Sequence, residues 1–223
     1  TISQARQSNT PEPGKGFQLF DWEMHKDVGN LHFFKYGNTD SQGVCGYGTS
    51  NYQKVTGLTN ALGIRDTVSY YKEKGGSNPQ AEGAYRDGVN YQSVNVLGYE
   101  NFQGNKAEWL QYVTVNKTAA DGRWFITMPD GTERVVQGIT VYNADIYPTH
   151  MVWGRYMDLI AAKEGGSTSS HWFDRFYVGT GLSRVVYRSN SNAYALGGVS
   201  YAGANNDSSY TSAYIGVRLA FRA

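Results

Sequence analysis

Apolar positions first recur at helical spacing between Phe17 and Tyr36. Trp22, His25, Val28, Gly29, His32 and Phe33 fall on one stripe of a 3.6-residue repeat. The stripe predicts a helix from about Asp21 to Tyr36, with Asp21 as its N-cap and Gly37-Asn38 as its stop. From Gly43 to Gly98 long apolar runs give way to Gly, Asn and Tyr, so loops and short strands are expected there, pinned by the recurring aromatics. The pattern then changes to β-branched and aromatic runs. Asp121-Gly122 separates Val113–Val115 from Trp124–Met128, and Asp130-Gly131 separates that run from Arg134–Val136. Asp-Gly supplies the positive φ angles of tight hairpin turns, so two hairpins are predicted. Val152–Ala162 reads as a short helix stopped by Gly165-Gly166, and strands return at Trp172–Val178, Arg184–Tyr187 and Ile215–Phe221. There is no internal repeat. The expected class is α+β, with small antiparallel sheets, two or so helices and much irregular loop structure. Residues 1–15 are polar, carry two prolines and read as a connector, leaving 16–223 as one domain.

One tract departs from every other part of the chain. Between Arg188 and Arg218 there is no Lys, Arg, Glu or Gln, and Asn, Ser, Tyr, Ala and Gly make up nearly all of it. Recognition loops use this palette: Tyr gives a large amphipathic contact at low entropic cost, while Ser, Gly and Asn adapt their hydrogen bonds. A flexible linker shares the Gly and Ser, but not the four tyrosines Tyr194, Tyr201, Tyr210 and Tyr214, nor the strand-like tail that follows. The candidate ligand-binding residues are Asn190, Asn192, Tyr194, Tyr201, Asn205, Asn206, Asp207, Ser208, Ser209, Tyr210, Thr211 and Ser212. If the tract displays side chains from a rigid backbone, Tyr201, Asn205, Asn206, Tyr210 and Ser212 are exposed, and Leu196, Ile215, Val217 and Leu219 are buried.

Composition narrows the picture further. The 223 residues carry a net charge of +1, with 17% charged and 14% aromatic residues. Such a balance gives no electrostatic footprint for nucleic acid or an anionic membrane. No apolar run approaches the length of a membrane span. Cys45 is the one cysteine, so an intrachain disulfide and a cysteine metal cluster are both excluded. Its surroundings, Gly43–Gly48, read as a tight, partly buried turn in which it acts as a small hydrophobe.

Few residue patterns suggest chemistry. His25 and His32 share a helix face two turns apart, a spacing that suits core histidines better than metal ligands. Ser170, His171 and Asp174 lack the elbow motif of a nucleophile. Glu82/Asp87 and Glu100/Glu108 are carboxylate pairs, Glu108 reading as support for the turn beside Trp109. Asn143, Asp145 and Asn205–Asp207 could offer oxygen to Ca²⁺, but without any EF-hand spacing they read as solvated loop polars. No catalytic residue, metal or cofactor is expected.

The segment Leu97–Trp109, with Gly104-Asn105-Lys106-Ala107-Glu108-Trp109, resembles the Gly-Asn-x-x-Glu-Trp signature of the formylglycine-generating-enzyme branch of the C-type lectin fold. Leu196–Tyr201 is similar to that branch's Gly-Gly-Ser-Trp strand, and Ile215–Leu219 to its terminal Gly-Phe-Arg-Leu strand. Tyr201 stands where Trp is usual and Val217 where Phe is usual. The enzymes of the branch rely on paired cysteines, which a single Cys45 cannot supply, so the resemblance implies a non-catalytic member. Asp21–Lys26, Lys35–Asn38 and Gly57–Thr67 also resemble proteins of gut bacteria and their phages, so that the likeness runs from about Phe17 to Phe221. The non-catalytic group includes the variable proteins of diversity-generating retroelements, among them phage tropism determinants, whose C-terminal segment binds targets on cell surfaces. The resemblance therefore implies a receptor-binding protein for a bacterial cell-surface protein or glycan, on the virion at a phage tail-fibre tip. A bacterial surface or pilus-tip adhesin with the same face, or a carbohydrate-binding lectin of fixed specificity, are the alternatives. A homo-oligomer such as a trimer, or attachment to a larger fibre or pilus through the N-terminus, would suit either setting.

Overall fold

The computed structural model describes residues 16–45, 66, 84–86, 89–91, 94–117, 124–127, 132–136, 144–151, 161–170, 172–179, 181–189 and 197–222. Strand β1 (Gly16–Leu19) leads into helix α1 (Trp22–Tyr36) and a single helical turn, α2 (Ser41–Cys45). The other elements among the described residues are strands. In chain order come β2 (Ala84–Arg86), β3 (Val89–Tyr91), β4 (Asn95–Val96), β5 (Tyr99–Glu100), β6 (Ala107–Lys117), β7 (Trp124–Thr127) and β8 (Glu133–Val136). There follow β9 (Asp145–Ile146), β10 (Pro148–Met151), β11 (Ala161–Glu164), β12 (Phe176–Val178), β13 (Gly181–Arg188), β14 (Ala202–Asn206), β15 (Ile215–Gly216) and β16 (Leu219–Arg222). The class is α+β.

Helix α1 forms where the stripe predicts it. Asp21 Oδ1 accepts the Met24 N–H at 2.9 Å, a side-chain N-cap, and Gly37 ends the helix at φ 62°, its N–H donating to the Phe33 carbonyl at 2.8 Å. Trp22, His25, Val28, Gly29 and His32 are its buried face. Both predicted hairpins are present as β6–β7 and β7–β8, with Val115 opposite Ile126 and Phe125 opposite Val135; the Asp-Gly turns themselves lie outside the described residues. A third hairpin joins β4 to β5 through Leu97 (φ 54°) and Gly98 (φ 90°), both left-handed as a type I′ turn requires.

The expected helix at Val152–Ala162 fails at its described end. Ala161 and Ala162 are in β11, which pairs antiparallel with β10, so Met151 faces Ala161 across a ladder. Residues 152–160 lie outside the described residues. Likewise the predicted turn at Gly43–Gly48 is, as far as it is described, the end of α2, with Cys45 buried.

The main sheet has the order β8-β7-β6-β13-β14-β12-β9, with β15 running parallel to the start of β6. Alternation assigns its two faces. Phe176, Val178, Ala202, Ala204, Val186 and Leu110 face the larger core, together with Phe20, Trp22 and Val28 from the β1–α1 region. On the other face Trp109, Val185, Tyr187 and Tyr201 form a second cluster under Leu19 and Ile215. Trp109 is buried. The first and last strands, β1 and β16, pair antiparallel, with Leu19 opposite Leu219, so the two ends of the domain meet.

The facing of the terminal segment is the reverse of that expected at Val217 and Leu219. Val217 is 40% and Leu219 45% exposed, and Ile215 is half-buried against the second cluster, while Arg218 and Ala220 turn inward. Arg218 sets this register. Its guanidinium grips Glu108 through both carboxylate oxygens at 3.0 and 2.8 Å and donates to the carbonyls of Glu100 and Asn101. Because side chains alternate, turning Arg218 inward turns Val217 and Leu219 out. Leu196 lies outside the described residues.

Candidate functional site

The polar tract enters the fold through a clamp. Gly197–Ser200 threads between α2 and Asp174, and each backbone donor is met. Gly198 N–H gives to Asp174 Oδ1 at 2.7 Å, Ser200 N–H and Oγ give to Oδ2 at 3.0 and 2.6 Å, and Val199 N–H gives to Ser41 Oγ at 2.8 Å. Gly197 N–H reaches Gln42 Oε1 at 3.4 Å. Only glycine fits at 198, since a Cβ there would sit 2.1 Å from Ser41 Oγ. Asp174 is buried, and burial pushes its carboxyl up to about 6 even though these hydrogen bonds favour the charged form. Arg188, wholly buried, lies over the Trp22 ring at 4.3 Å and donates to the carbonyls of Ser200 and Tyr201 at 3.0 and 2.9 Å. The clamp hands the chain to β14 in a fixed position.

Beyond β14 two short turns present the side chains. Asp207 to Tyr210 forms the first, closed by the Tyr210 N–H on the Asp207 carbonyl at 3.2 Å, with Asp207 Oδ1 accepting Ser209 N–H and Oγ at 2.9 and 2.5 Å. Those two bonds from Ser209 hold the Asp207 carboxyl below its ordinary range. The second runs from Ser212 to Ile215, where Ser212 Oγ accepts the Tyr214 N–H at 3.1 Å and Ser212 carbonyl the Ile215 N–H at 3.3 Å. The Ala107 N–H then ties the Tyr214 carbonyl to β6 at 3.0 Å, and Lys106 Nζ reaches the Ala213 carbonyl. Held at both ends, the turns leave Tyr210 42% and Tyr214 47% exposed.

The predicted residues thus divide. Asp207, Ser209, Tyr210 and Thr211 are exposed, and Asn205, Asn206, Ser208 and Ser212 are half-buried along the same run. Asn190, Asn192 and Tyr194 lie outside the described residues. Tyr201 is not on the surface: it is 2% exposed, enclosed by Tyr187 and by the Arg175 guanidinium 5.5 Å from its ring. It occupies the first position after the clamp, where the outer face of β14 is still covered by the second cluster. Burial raises the phenols of Tyr187 and Tyr201, which stay protonated; Tyr187 Oη donates to Asn205 Oδ1 at 2.8 Å. Tyr214, drawn from the same palette, joins the face without having been singled out, as does Arg184, 3.7 Å from Asp207. Nothing in the local sequence marks Arg184, because its place follows from the pairing of β13 with β14.

Several of the described residues weighed for chemistry have structural partners. Glu108 is held by Arg218. His25 and His32 are buried, His25 stacked on Phe102 with ring centroids 4.6 Å apart. His32 Nδ1 lies 3.8 Å from Cys45 Sγ, an imidazole–thiol pair that sequence spacing did not suggest. Burial pushes the Cys45 thiol up and the His32 imidazole down to about 4, so neither takes the charged form that a nucleophilic pair needs. Glu82, Asp87, Asn143 and His171 lie outside the described residues, and Ser170 sits in an exposed serine turn with Ser167 Oγ at 2.9 Å. Among the described residues no three His, Cys, Asp or Glu groups converge as metal ligands, and no helix is long and apolar enough to cross a membrane. No family model matches the chain, and neither does any curated protein or solved structure.

Proposed function

We propose that this is a non-catalytic ligand-binding protein of the C-type lectin fold, in its formylglycine-generating-enzyme-like branch, which attaches to a target on a bacterial surface. The rigid presentation of Asp207–Tyr214 carries the reading: a run of Tyr, Ser and Asp side chains projects from turns fixed by their own hydrogen bonds and anchored to β6. A prearranged backbone lowers the ordering cost of binding, and aromatic anchors dominate interface energetics. The fold assignment draws support from the resembling motifs. Gly104 and Asn105 take left-handed φ angles of 79° and 65° before β6 brings Trp109 into its cluster, and the terminal strand closes on the first. A phage tail-fibre tip is the setting this reading favours, with a cell-surface protein or glycan as partner.

Binding to bacterial cells, measured with purified protein bearing Tyr210→Ala or Tyr214→Ala, tests the reading. Each variant is expected to bind about tenfold more weakly or worse, at an unchanged melting temperature. Full binding by both variants would move the recognition surface away from these turns.

A further inference from the structure

The outer face of the main sheet is covered by Leu19 and Ile215 beside the start of β6, while at its β12–β9 end Tyr177 is half-buried and Asp145 exposed. Strand register brings Asp145, Tyr177, Gly203 and Tyr187 into one row across four strands. Arg175 and Asn205 flank that row on the same face. Arg175 lies 5.5 Å from the Tyr201 ring and 5.9 Å from the Tyr177 ring, and its Nη1 donates to Asp145 Oδ1 at 2.7 Å. Asn205 Oδ1 accepts from Tyr187 Oη and from Asn206 Nδ2, at 2.8 and 3.2 Å. Asp145 is exposed, and Arg175, Tyr177, Asn205 and Asn206 are half-buried. Tyr201, Gly203, Asn205 and Asn206 belong to the polar tract, whereas Asp145, Arg175, Tyr177 and Tyr187 do not.

We propose that this ledge is a saccharide subsite, in which a sugar ring lies against Tyr177 and its hydroxyls bond to Asp145, Arg175 and the Asn205–Asn206 amides. The inference rests on the ligand-binding reading above and names one ligand class for its sheet-borne part. Sugar hydroxyls both donate and accept, and the ledge answers with a carboxylate that accepts, a guanidinium that donates and amides that do both. A tyrosine ring supplies an apolar surface for the C–H face of a sugar. The Arg175–Asp145 pair cancels in charge, which suits a neutral ligand. A protein partner fits less well. Protein interfaces centre on apolar and aromatic anchors that become fully desolvated, and of the exposed large apolar side chains described, Tyr210 and Tyr214 lie on the turns and none on the ledge.

The test is ¹H–¹⁵N NMR titration of the whole protein with the methyl glycosides of glucose, galactose, mannose and N-acetylglucosamine. At least one is expected to give saturable shifts centred on Asp145, Arg175 and Tyr177. Tyr177→Ala and Asp145→Asn are expected to weaken that glycoside about tenfold or more, Tyr177→Phe to retain it, and Phe34→Ser, on the outer side of α1, to leave it unchanged. Should Tyr177→Ala fail to fold, Asp145→Asn decides. No saturable shift with any of the four, or shifts that both variants leave intact, would overturn the subsite. Loss of cell binding in Tyr177→Ala without any glycoside response would overturn it in favour of a protein ligand. In each of those outcomes the Tyr210 and Tyr214 cell-binding result stands or falls separately.

Discussion

The phenol of Tyr201 is enclosed by Tyr187, Arg175 and the second cluster, so its truncation empties a cavity in a packed face. Tyr201→Ala is expected to cost about 3–5 kcal/mol of stability, and Trp109→Ala a similar amount, both read by urea denaturation. Tyr210→Ala is expected to shift the same curve by under about 0.5 kcal/mol, as for other surface changes. A Tyr201→Ala protein as stable as the parent would contradict the burial described. Both tyrosines come from one Tyr/Ser/Asn tract, and composition does not separate them. What does is position relative to the Gly197–Ser200 clamp: the residue leaving it enters the sheet under Tyr187, and only residues past β14 reach the turns. That geometry depends on Asp174 and Ser41, distant in sequence, so no local pattern could announce it.

Elements whose signals are local were legible. Helix α1 carries its stripe, cap and stop within one window, and the Asp-Gly hairpins carry their turn chemistry between the strands they join. Asp21→Ala removes the acceptor for the Met24 N–H and is expected to destabilise the protein by about 1 kcal/mol, with Asp21→Asn or Asp21→Ser recovering most of it. An equal loss in all three would mean that Asp21 acts through its charge or packing rather than as a cap. The terminal strand was misread for a non-local reason. Ile215, Val217 and Leu219 alternate as a buried face should, yet only Ile215 packs inward; beyond it the inward register belongs to Arg218, because Glu108 and two carbonyls of the Glu100–Asn101 turn await its guanidinium. The Val152–Ala162 window, apolar and short, suits helix or strand equally, and pairing of Ala161 with Met151 settled its end as strand.

For the molecule as a whole, burial of His25, His32 and Asp174 shapes how stability responds to acid. His25 and His32 are folded with depressed pKa values: burial is the main cause for both, Arg188 and Arg218 adding to it at His25 and Lys35 at His32 while Asp66 opposes. For a base depressed in this way, the unfolded chain binds the proton first. Stability is full above about 6.5 and is lost as pH falls toward 4, by about 3 kcal/mol for His32 alone. Asp174 acts in the opposite sense, since its carboxyl, raised from 3.8 to about 6, takes up a proton in the folded state first and so gains stability as pH falls through the same window. The His32 and Asp174 contributions oppose one another, and His25, held well below its ordinary value, acts in the same sense as His32. The melting temperature is therefore expected to fall between about pH 7 and about pH 5, as the unfolded histidines take up protons that the folded ones refuse. His25→Phe keeps the ring that stacks on Phe102 and removes the titration, so its melting temperature should fall less steeply over the same span whatever its absolute value. A melting temperature that rises on acidification in the parent, or an equal slope in His25→Phe, would show that Asp174 and not His25 governs the acid limb.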